Sequence, residues 1–365
     1  MKLKSLHIED YKLFKDFDID FLGSNNKPLP IVVLAGVNGS GKTTLFESLS
    51  IEHIRKQERF IADIPDGNDD EVDVSLNILN DDESEWYREY RFQKQREHEY
   101  AGVSLSNYDY LNNIIYLSTD TTIKNIKDLM PEYLKKMVWD EDIKASEAFE
   151  RVRISANNVF ENMNLNIEFD SRDGEGNLYF RNKNSEKKFL IDALSTGEKT
   201  LMSKVLYLYL EEITDKVILI DEPELSLHPS WQNKVLKIYE NFAKMNDCQI
   251  IIATHSPHII GSAKAEYLRV LKKIDEKIEV FKYDKSYGLE FSQILTNIMG
   301  MDYLRTPDVA KKMQSIKTMI VANEFNSEQF QTNWNELEEM LGKNNLDLKL
   351  LKLEIASRKK NVSNS

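Results

Sequence analysis

Residues 36–43 constrain this chain more than any other segment. They have the pattern G-x-x-x-x-G-K-[ST], and they lie between an apolar run at 31–35 and a helix-favouring run at 44–52. Glycines let the backbone curl so that successive N–H groups point at phosphate oxygens. The following helix N-terminus favours an anion, Lys42 adds a positive charge, and Thr43 offers a hydroxyl to Mg²⁺. The pattern predicts a nucleotide-phosphate loop with these contacts: Gly36, Asn38, Gly39, Ser40, Gly41, Lys42, Thr43 and Thr44.

Composition limits the class of protein. The chain has 365 residues and 41% hydrophobic content, enough for a sizeable core, and its single cysteine excludes an intrachain disulfide. A net charge of −13 argues against indiscriminate coating of nucleic acid, although local basic patches at 88–96 and 358–360 leave a DNA or RNA contact open. No window approaches 18 apolar residues, so we expect a cytoplasmic protein without a membrane partner.

The order of apolar patterns predicts two regions. Strand-like runs alternate with helical runs over 1–285, including an antiparallel pair at 72–79 and 85–93 and a short helical insertion at about 121–163. The region 286–365 is predicted to be helical. The acidic loops at 63–73 and 80–85 lack the ligand spacing of a metal site and are interpreted as solvated.

Two acids follow the most apolar strand. Residues 217–220 read Val-Ile-Leu-Ile, and Asp221 and Glu222 come directly after them. Burial of this strand places Asp221 at the sheet edge beside the phosphate loop. Asp221 is therefore a candidate Mg²⁺ ligand through a water, and Glu222 is a candidate for orienting or deprotonating an attacking water.

A second helix start and a histidine are further candidates for the site formed by the phosphate loop and the acid pair. Ser195 is a plausible N-cap for a long helix, and Gly197 allows close backbone approach, so this helix start is another candidate anion site. His255 follows an apolar strand by one residue, at the strand end where parallel sheets carry their site residues.

These motifs, in the order GxNGSGKT, LSTGEK, ILIDEPELSLHP and ATHSP, resemble the ATPase head of the ABC superfamily, in particular its soluble SMC and RecF-like branch. The resemblance covers about residues 1–285. It implies an α/β fold: an ABC-type P-loop ATPase head with an antiparallel β subdomain, a short helical insertion and a helical C-terminal tail.

The resemblance also implies roles for individual residues. Lys42 and Thr43 would bind ATP and Mg²⁺, and Asp221 and Glu222 would serve the metal and the water. Ser195 and Gly197, with Glu198, would contact the γ-phosphate of ATP held by a second copy of the chain. Residues 226–228 would line the seam of this head-to-head dimer, and His255 would sense the γ-phosphate.

The chain departs from the family pattern at one position and follows it loosely at another. Relatives place a glutamine that touches Mg²⁺ after the strand that follows the antiparallel subdomain, but here residues 114–117 are followed by Ser-Thr-Asp. Near the start, relatives often have an aromatic-basic-aromatic segment that approaches the nucleotide. Residues 11–14 of this chain retain the basic residue, Lys12, which is therefore a candidate phosphate or adenine contact.

The tail is similar to that of stand-alone bacterial ATPases of the Septu and retron-associated anti-phage systems, through loose motifs at 287–290, 294–295, 300–305 and 341–345. That resemblance implies a partner, commonly an HNH nuclease, which the ATPase restrains or licenses. The region 286–365 would then serve partner binding or assembly. No acid-rich nuclease module follows His255, which argues against the overcoming-lysogenization nucleases that share this head.

The function predicted from the sequence is a Mg-ATP-binding and hydrolysing ATPase that dimerises around ATP and regulates a nuclease in anti-phage defence. Three alternatives stay open at this point: a DNA repair or DNA-end-binding ATPase, the ATPase subunit of a transporter, and a scaffold that binds ATP without hydrolysing it.

Overall fold

The structure is a computed structural model that describes residues 2–49, 72–79, 85–92, 113–119, 126–162, 166–174, 177–184, 187–211, 213–301 and 304–363. The predicted acidic loop before Val72, the turn at 80–84, Asp120 and the basic residues Lys94 and Arg96 lie outside these ranges. The chain divides into a first unit, Met1–Ile294, and a second unit, Leu295–Ser365.

The strands, in chain order, are β1 Lys2–Tyr11, β2 Phe14–Asp20, β3 Ile31–Ala35, β4 Val72–Leu79, β5 Glu85–Phe92, β6 Ile114–Leu117, β7 Ile167–Arg172, β8 Leu178–Asn182, β9 Lys188–Leu190, β10 Val217–Asp221, β11 Gln249–Thr254, β12 Leu268–Ile274 and β13 Lys277–Phe281. The main helices are α1 Lys42–Leu49, α2 Ile126–Trp139, α3 Ala145–Asn162, α4 Thr196–Leu210, α5 Pro229–Met245, α6 Pro257–Ser262, α7 Pro307–Val321, α8 Glu328–Leu341 and α9 Leu346–Ser363.

A six-stranded sheet forms the centre of the first unit, in the order β13-β12-β3-β11-β10-β6. All neighbouring pairs are parallel except β12 and β13. Strands β3, β10 and β11 are buried along their whole length, which is why their sequences are apolar without alternation. Asp221 lies opposite Ala253, and Thr254 lies opposite Ala35. The register therefore brings the carboxyl ends of β3, β10 and β11 to one edge.

An antiparallel sheet, β2-β1-β4-β5, belongs to the same unit. Its β4–β5 pair confirms the antiparallel pair predicted from the alternating runs. The buried amide of Gln249 in β11 bonds both the N–H and the C=O of Leu3 in β1. Arg269 in β12 is 1% exposed and donates to the backbone oxygen and the carboxylate of Asp20 in β2. These two buried side chains hold the antiparallel sheet against the central sheet.

The predicted helical insertion is present as α2 and α3, which contact each other and α4. Helix α3 also packs on β7 of a small antiparallel sheet, β7-β8-β9. The side chain of Asn157 accepts from the Phe169 N–H at 2.6 Å and donates to the Phe169 C=O at 3.1 Å. This exchange satisfies both backbone groups of a β7 residue from the helix that covers it.

The second unit has its own apolar core, formed by α7, α8 and α9. Its buried residues are Met313, Ile316, Met319, Ile320, Phe325, Phe330, Trp334, Leu337, Leu348 and Leu351. Helix α8 ends at Gly342, whose φ of 78° suits a residue without a Cβ. Lys352 of α9 donates to Glu338 of α8 at 2.8 Å.

Cys248, the single cysteine of the chain, precedes β11 and is 1% exposed. Its Sγ lies 3.5 Å from the Asn246 carbonyl oxygen, and burial raises the pKa of the thiol. Cys248 is therefore a structural thiol, as its apolar surroundings in the sequence predict.

Candidate nucleotide-binding site

The 36–41 loop connects β3 to α1, which begins at Lys42 rather than at the predicted position 44. Gly41 has a φ of +89°, and a Cβ there would lie 2.8 Å from Phe14 Cζ. A Cβ on Gly36 would lie 2.4 Å from Ser40 Oγ. Both positions therefore require glycine, one for its backbone angle and both for space.

Lys42 reaches back into this loop. Its Nζ donates to the carbonyl oxygens of Gly36 at 2.9 Å and Val37 at 3.2 Å. The residue is only 6% exposed, and burial lowers the pKa of the ammonium, while the charges of Glu222 and Asp221 act to raise it. An ammonium has three N–H donors, and the two carbonyls take two of them.

Asp221, at the end of β10, faces this loop and is 2% exposed. Its Oδ2 accepts from Thr43 Oγ1 at 2.8 Å and lies 3.4 Å from the Tyr116 hydroxyl, whereas its buried Oδ1 has no hydrogen-bond partner among the described residues. Burial raises the pKa of Asp221, and the Thr43 hydrogen bond and the charge of Lys42 oppose that rise. The predicted pairing of the phosphate loop with Asp221 is therefore a direct contact.

Glu222 and His255 meet beside Asp221. The backbone of Glu222 has a φ of 43°, and its N–H donates to the Ala253 carbonyl at 2.9 Å. This turn brings Glu222 Oε1 to 3.0 Å from Nδ1 of His255, which directly follows β11. The acid and the histidine predicted at neighbouring strand ends are thus in hydrogen-bond contact.

The candidate helix start at Ser195 adjoins the segment that follows the acid pair. Ser195 is exposed and immediately precedes α4, and Glu198 lies in the first turn of that helix. A Cβ on Gly197 would lie 2.1 Å from the Ser226 carbonyl oxygen, so α4 starts in backbone contact with residues 226–227.

The other predicted contacts surround the loop or lie nearby. Asn38 and Gly39 are exposed at its tip, and Thr44 is half-buried on α1. Lys12 has a φ of 51°, and its Nζ donates to Glu47 of α1 at 2.9 Å. The structure therefore places Lys12 beside the helix that follows the loop.

Sequence reasoning missed two residues of the site. Tyr116 lies in β6, the neighbour of β10, and it brings a hydroxyl close to Asp221 on the side where the family's glutamine is absent. Glu224 is 4% exposed and accepts hydrogen bonds from the segment that carries His255. The repeated acid in Asp-Glu-Pro-Glu is the one signal in the sequence that could have indicated Glu224.

The parallel sheet, the glycine-lined loop with Lys42 and the acid pair at the end of β10 have the fold of an ABC-type P-loop ATPase head. A crystal structure of the Smc head bound to the C-winged helix domain of ScpA shares this fold, with a TM-score of 0.54 and 14% sequence identity over 78% of this chain and 98% of that chain. The fold predicted from the sequence is confirmed.

Within that class, the chain is similar in sequence to proteins of the Septu and retron systems. It is 34% identical over 146 residues to the Septu protein PtuA of Bacillus thuringiensis. This match covers 38% of this chain and 36% of PtuA. It is 30% identical over 144 residues to the "Retron Ec83 probable ATPase" of Escherichia coli. That match covers 39% of this chain and 26% of the retron protein. The matches therefore span about a third or less of these relatives, and they confirm the resemblance that the motifs indicate.

A family profile described as "AAA domain, putative AbiEii toxin, Type IV TA system" matches residues 120–261, the segment from before α2 to within α6. This segment includes the helix start at Ser195, the acid pair and His255. Among the helices that the structure describes, none combines the length and apolar content needed to cross a bilayer.

Proposed function

We propose that this chain is a cytoplasmic ATPase that binds and hydrolyses Mg-ATP, dimerises head to head around ATP, and regulates a partner nuclease in bacterial anti-phage defence. The observation that carries the catalytic part is the 2.8 Å contact between Thr43 of the phosphate loop and Asp221, with Glu222 and His255 paired beside it.

The residues present fit a magnesium nucleotide. Ser40 Oγ in the loop and Asp221 Oδ1 are both buried, and neither has a hydrogen-bond partner in the described part of the chain. A buried polar atom without a partner is costly, so both atoms suit a site that a ligand completes. The loop contacts predicted from the sequence, with Lys42, would hold the phosphates, and Thr43 and Asp221 would hold Mg²⁺. When bound, Mg²⁺ neutralises charge that develops on the phosphates.

Glu222 is the proposed base. Its carboxylate is part-buried next to Asp221, and it accepts the proton of the attacking water. His255 Nδ1, at 3.0 Å, restrains Glu222 Oε1 in one position. The predicted role of His255 in sensing the γ-phosphate requires an N–H donor at the opposite ring nitrogen, Nε2, which is present when both ring nitrogens carry a proton.

The dimer is proposed because the chain offers a second candidate anion-binding helix start, at α4, in addition to the one at α1. Ser195 and Thr196 are exposed at the beginning of α4, where N–H groups and the helix dipole favour an anion. In the proposed dimer, Ser195, Gly197 and Glu198 of one protomer approach the nucleotide of its partner. The similarity to the Septu and retron proteins supports the defence role and the separate effector.

The variant Glu222→Gln tests the catalytic assignment. We expect turnover, measured as phosphate release, to fall by about 10²–10⁴-fold because the general base is lost. Light scattering after gel filtration should still show an ATP-dependent dimer, since the phosphate loop is intact. Glu276→Gln is the matched control, because the side chain of Glu276 is 93% exposed in the β12–β13 turn. Equal turnover of Glu222→Gln and this control would contradict the assignment.

The partner is tested by co-purification of the tagged chain from its native operon. A bound nuclease supports effector control. A membrane subunit would instead indicate a transporter, and hydrolysis stimulated by salt-dependent duplex binding would indicate a DNA-end-binding ATPase.

A further inference from the structure

Glu224 accepts several hydrogen bonds through one carboxylate oxygen, whereas its other oxygen, Oε2, is buried without a hydrogen-bond partner in the described part of the chain. One carboxylate oxygen, Oε1, accepts from Thr254 Oγ1 at 2.5 Å, from His255 N at 3.1 Å and from Ser256 N at 3.2 Å. These donors are three consecutive residues at the junction of β11 and α6. A single buried oxygen atom therefore accepts hydrogen bonds from three consecutive residues of the segment that carries His255.

Other contacts hold the Glu224 side of this arrangement in place. The chain reverses at Glu222 and Ser226, which have φ values of 43° and 63°. The Leu225 N–H donates to the Glu222 carbonyl, and the Leu227 N–H donates to the Glu224 carbonyl. Glu224 therefore projects from a hydrogen-bonded turn, and its side chain is 4% exposed.

A second link ties the same segment to α5. Ser256 Oγ donates to Gln232 Oε1 at 2.8 Å, and Gln232 Nε2 donates to the Leu227 carbonyl at 3.0 Å. Ser256 also caps α6 by accepting from His258 N and Ile259 N. Ser256 is thus restrained on two sides, whereas the His255 N–H is held by Glu224.

Burial raises the pKa of Glu224 above its ordinary value, and the Thr254 hydroxyl and the backbone N–H groups oppose that rise by binding the ionised form. Lys204 of α4 is also buried, and burial lowers its pKa, while the charges of Asp221 and Glu224 oppose that fall. The hydrogen bonds to Oε1 therefore favour the carboxylate form of Glu224 against the effect of its burial.

From these contacts we infer that Glu224 is a positioning residue for the proposed ATPase: it fixes the backbone at Thr254 to Ser256 so that the His255 ring is held against Glu222. Glu224 does not itself touch the reacting atoms. It acts through the placement of His255 Nδ1, which lies 3.0 Å from Glu222 Oε1 and 3.7 Å from Glu224 Oε1. The placement of the His255 ring by Glu224 does not depend on the proposed function, whereas the effect of Glu224 on catalysis rests on it.

The placement is tested first without nucleotide. In protein labelled with ¹⁵N-histidine, long-range proton–nitrogen spectra report the tautomer of each ring, and His255→Asn identifies the His255 signals. We expect the wild type to show one fixed tautomer with the proton on Nδ1, because Nδ1 faces a carboxylate oxygen. Glu224→Ala should give averaged His255 shifts. Unchanged His255 shifts in folded Glu224→Ala would overturn the inference.

The catalytic consequence is tested by steady-state kinetics. Glu224→Ala should lower kcat by up to about 10²-fold, the effect of a misplaced catalytic group, with KM changed less than about threefold because the phosphate loop is untouched. Glu224→Gln keeps an acceptor at Oε1, so its loss should be smaller. A rise in KM with unchanged kcat would refute positioning.

A substitute variant and the case of an inactive wild type complete the experiment. If Glu224→Ala does not fold, Thr254→Val removes the 2.5 Å donor with little change of shape, and it should also average the His255 shifts. If the wild type has no ATPase activity, the proposed function fails, while the His255 spectra still decide whether Glu224 positions the ring.

Discussion

Replacement of Gly197 by alanine should strain the contact between the start of α4 and the 226–227 segment. The added Cβ would lie 2.1 Å from the Ser226 carbonyl oxygen and 2.8 Å from its carbon. Since non-bonded heavy atoms settle at about 3.5 Å, the two backbones must separate by roughly 1 Å or more. Both partners are backbone, so rotation of a side chain cannot relieve the clash.

Overpacking of this kind costs about 1–3 kcal/mol, and the better helix propensity of alanine offsets less than about 1 kcal/mol of that cost. The net cost is therefore about 1–2 kcal/mol, and at about 2–4 °C per kcal/mol for a large domain Tm should fall by roughly 2–8 °C. Differential scanning calorimetry without nucleotide measures the change.

Gly174→Ala is the matched control, because nothing lies within 4 Å of a Cβ at that position. The two backbones meet where the proposed dimer seam adjoins the proposed γ-phosphate contact, so we also expect weaker ATP-dependent dimerisation of Gly197→Ala in light scattering. An equal Tm for Gly197→Ala and Gly174→Ala would refute the close-packing argument.

Two further predictions concern buried charges of the first unit. Arg269→Met keeps the aliphatic stem but removes the buried donor to the carbonyl oxygens of Asp20 and Leu22 and to Asp20 Oδ1, whereas Lys282 still pairs with Asp20 Oδ2. We expect a loss of about 1–3 kcal/mol, seen as a lower urea midpoint, and a wild-type midpoint would contradict it. Burial acts to raise the pKa of Glu240, but hydrogen bonds from Lys244 and Tyr267 outweigh it and leave the pKa below 4.5. The stability this carboxylate adds is therefore complete above pH 4.5 and is lost as pH falls below that value, so Glu240→Gln should lose less Tm than the wild type between pH 5 and 3. Parallel Tm curves for the two proteins would show that Glu240 does not contribute.

The central sheet and the acid pair could be predicted from the sequence because their signals are local. An unbroken apolar run followed by Asp221 and Glu222 indicates a buried strand that ends at a site. The phosphate loop is equally local, since its glycines, Lys42 and Thr43 occupy eight consecutive positions.

The contacts of Glu224 and Tyr116 could not be predicted in this way. Glu224 meets Thr254 only because β10 and β11 are neighbours in register and because the chain turns through positive φ at Glu222. Tyr116 reaches Asp221 only because β6 pairs with β10, and a four-residue strand carries no signal of its neighbour. Such contacts depend on strand order, which a periodicity in the sequence does not contain.

The buried thiol of Cys248 makes the chain suited to chemical labelling. Thiol reagents attack the thiolate form of cysteine. The Cys248 thiol is buried and its pKa is raised, so its alkylation in the native protein must follow local or global opening. The rate of that alkylation therefore measures the free energy of opening around β11 without any added probe. A cysteine introduced at an exposed position, such as Met245→Cys on α5, would react first and accept a fluorophore at one known place. Distances between two protomers could then be followed by energy transfer with the natural cysteine left in position.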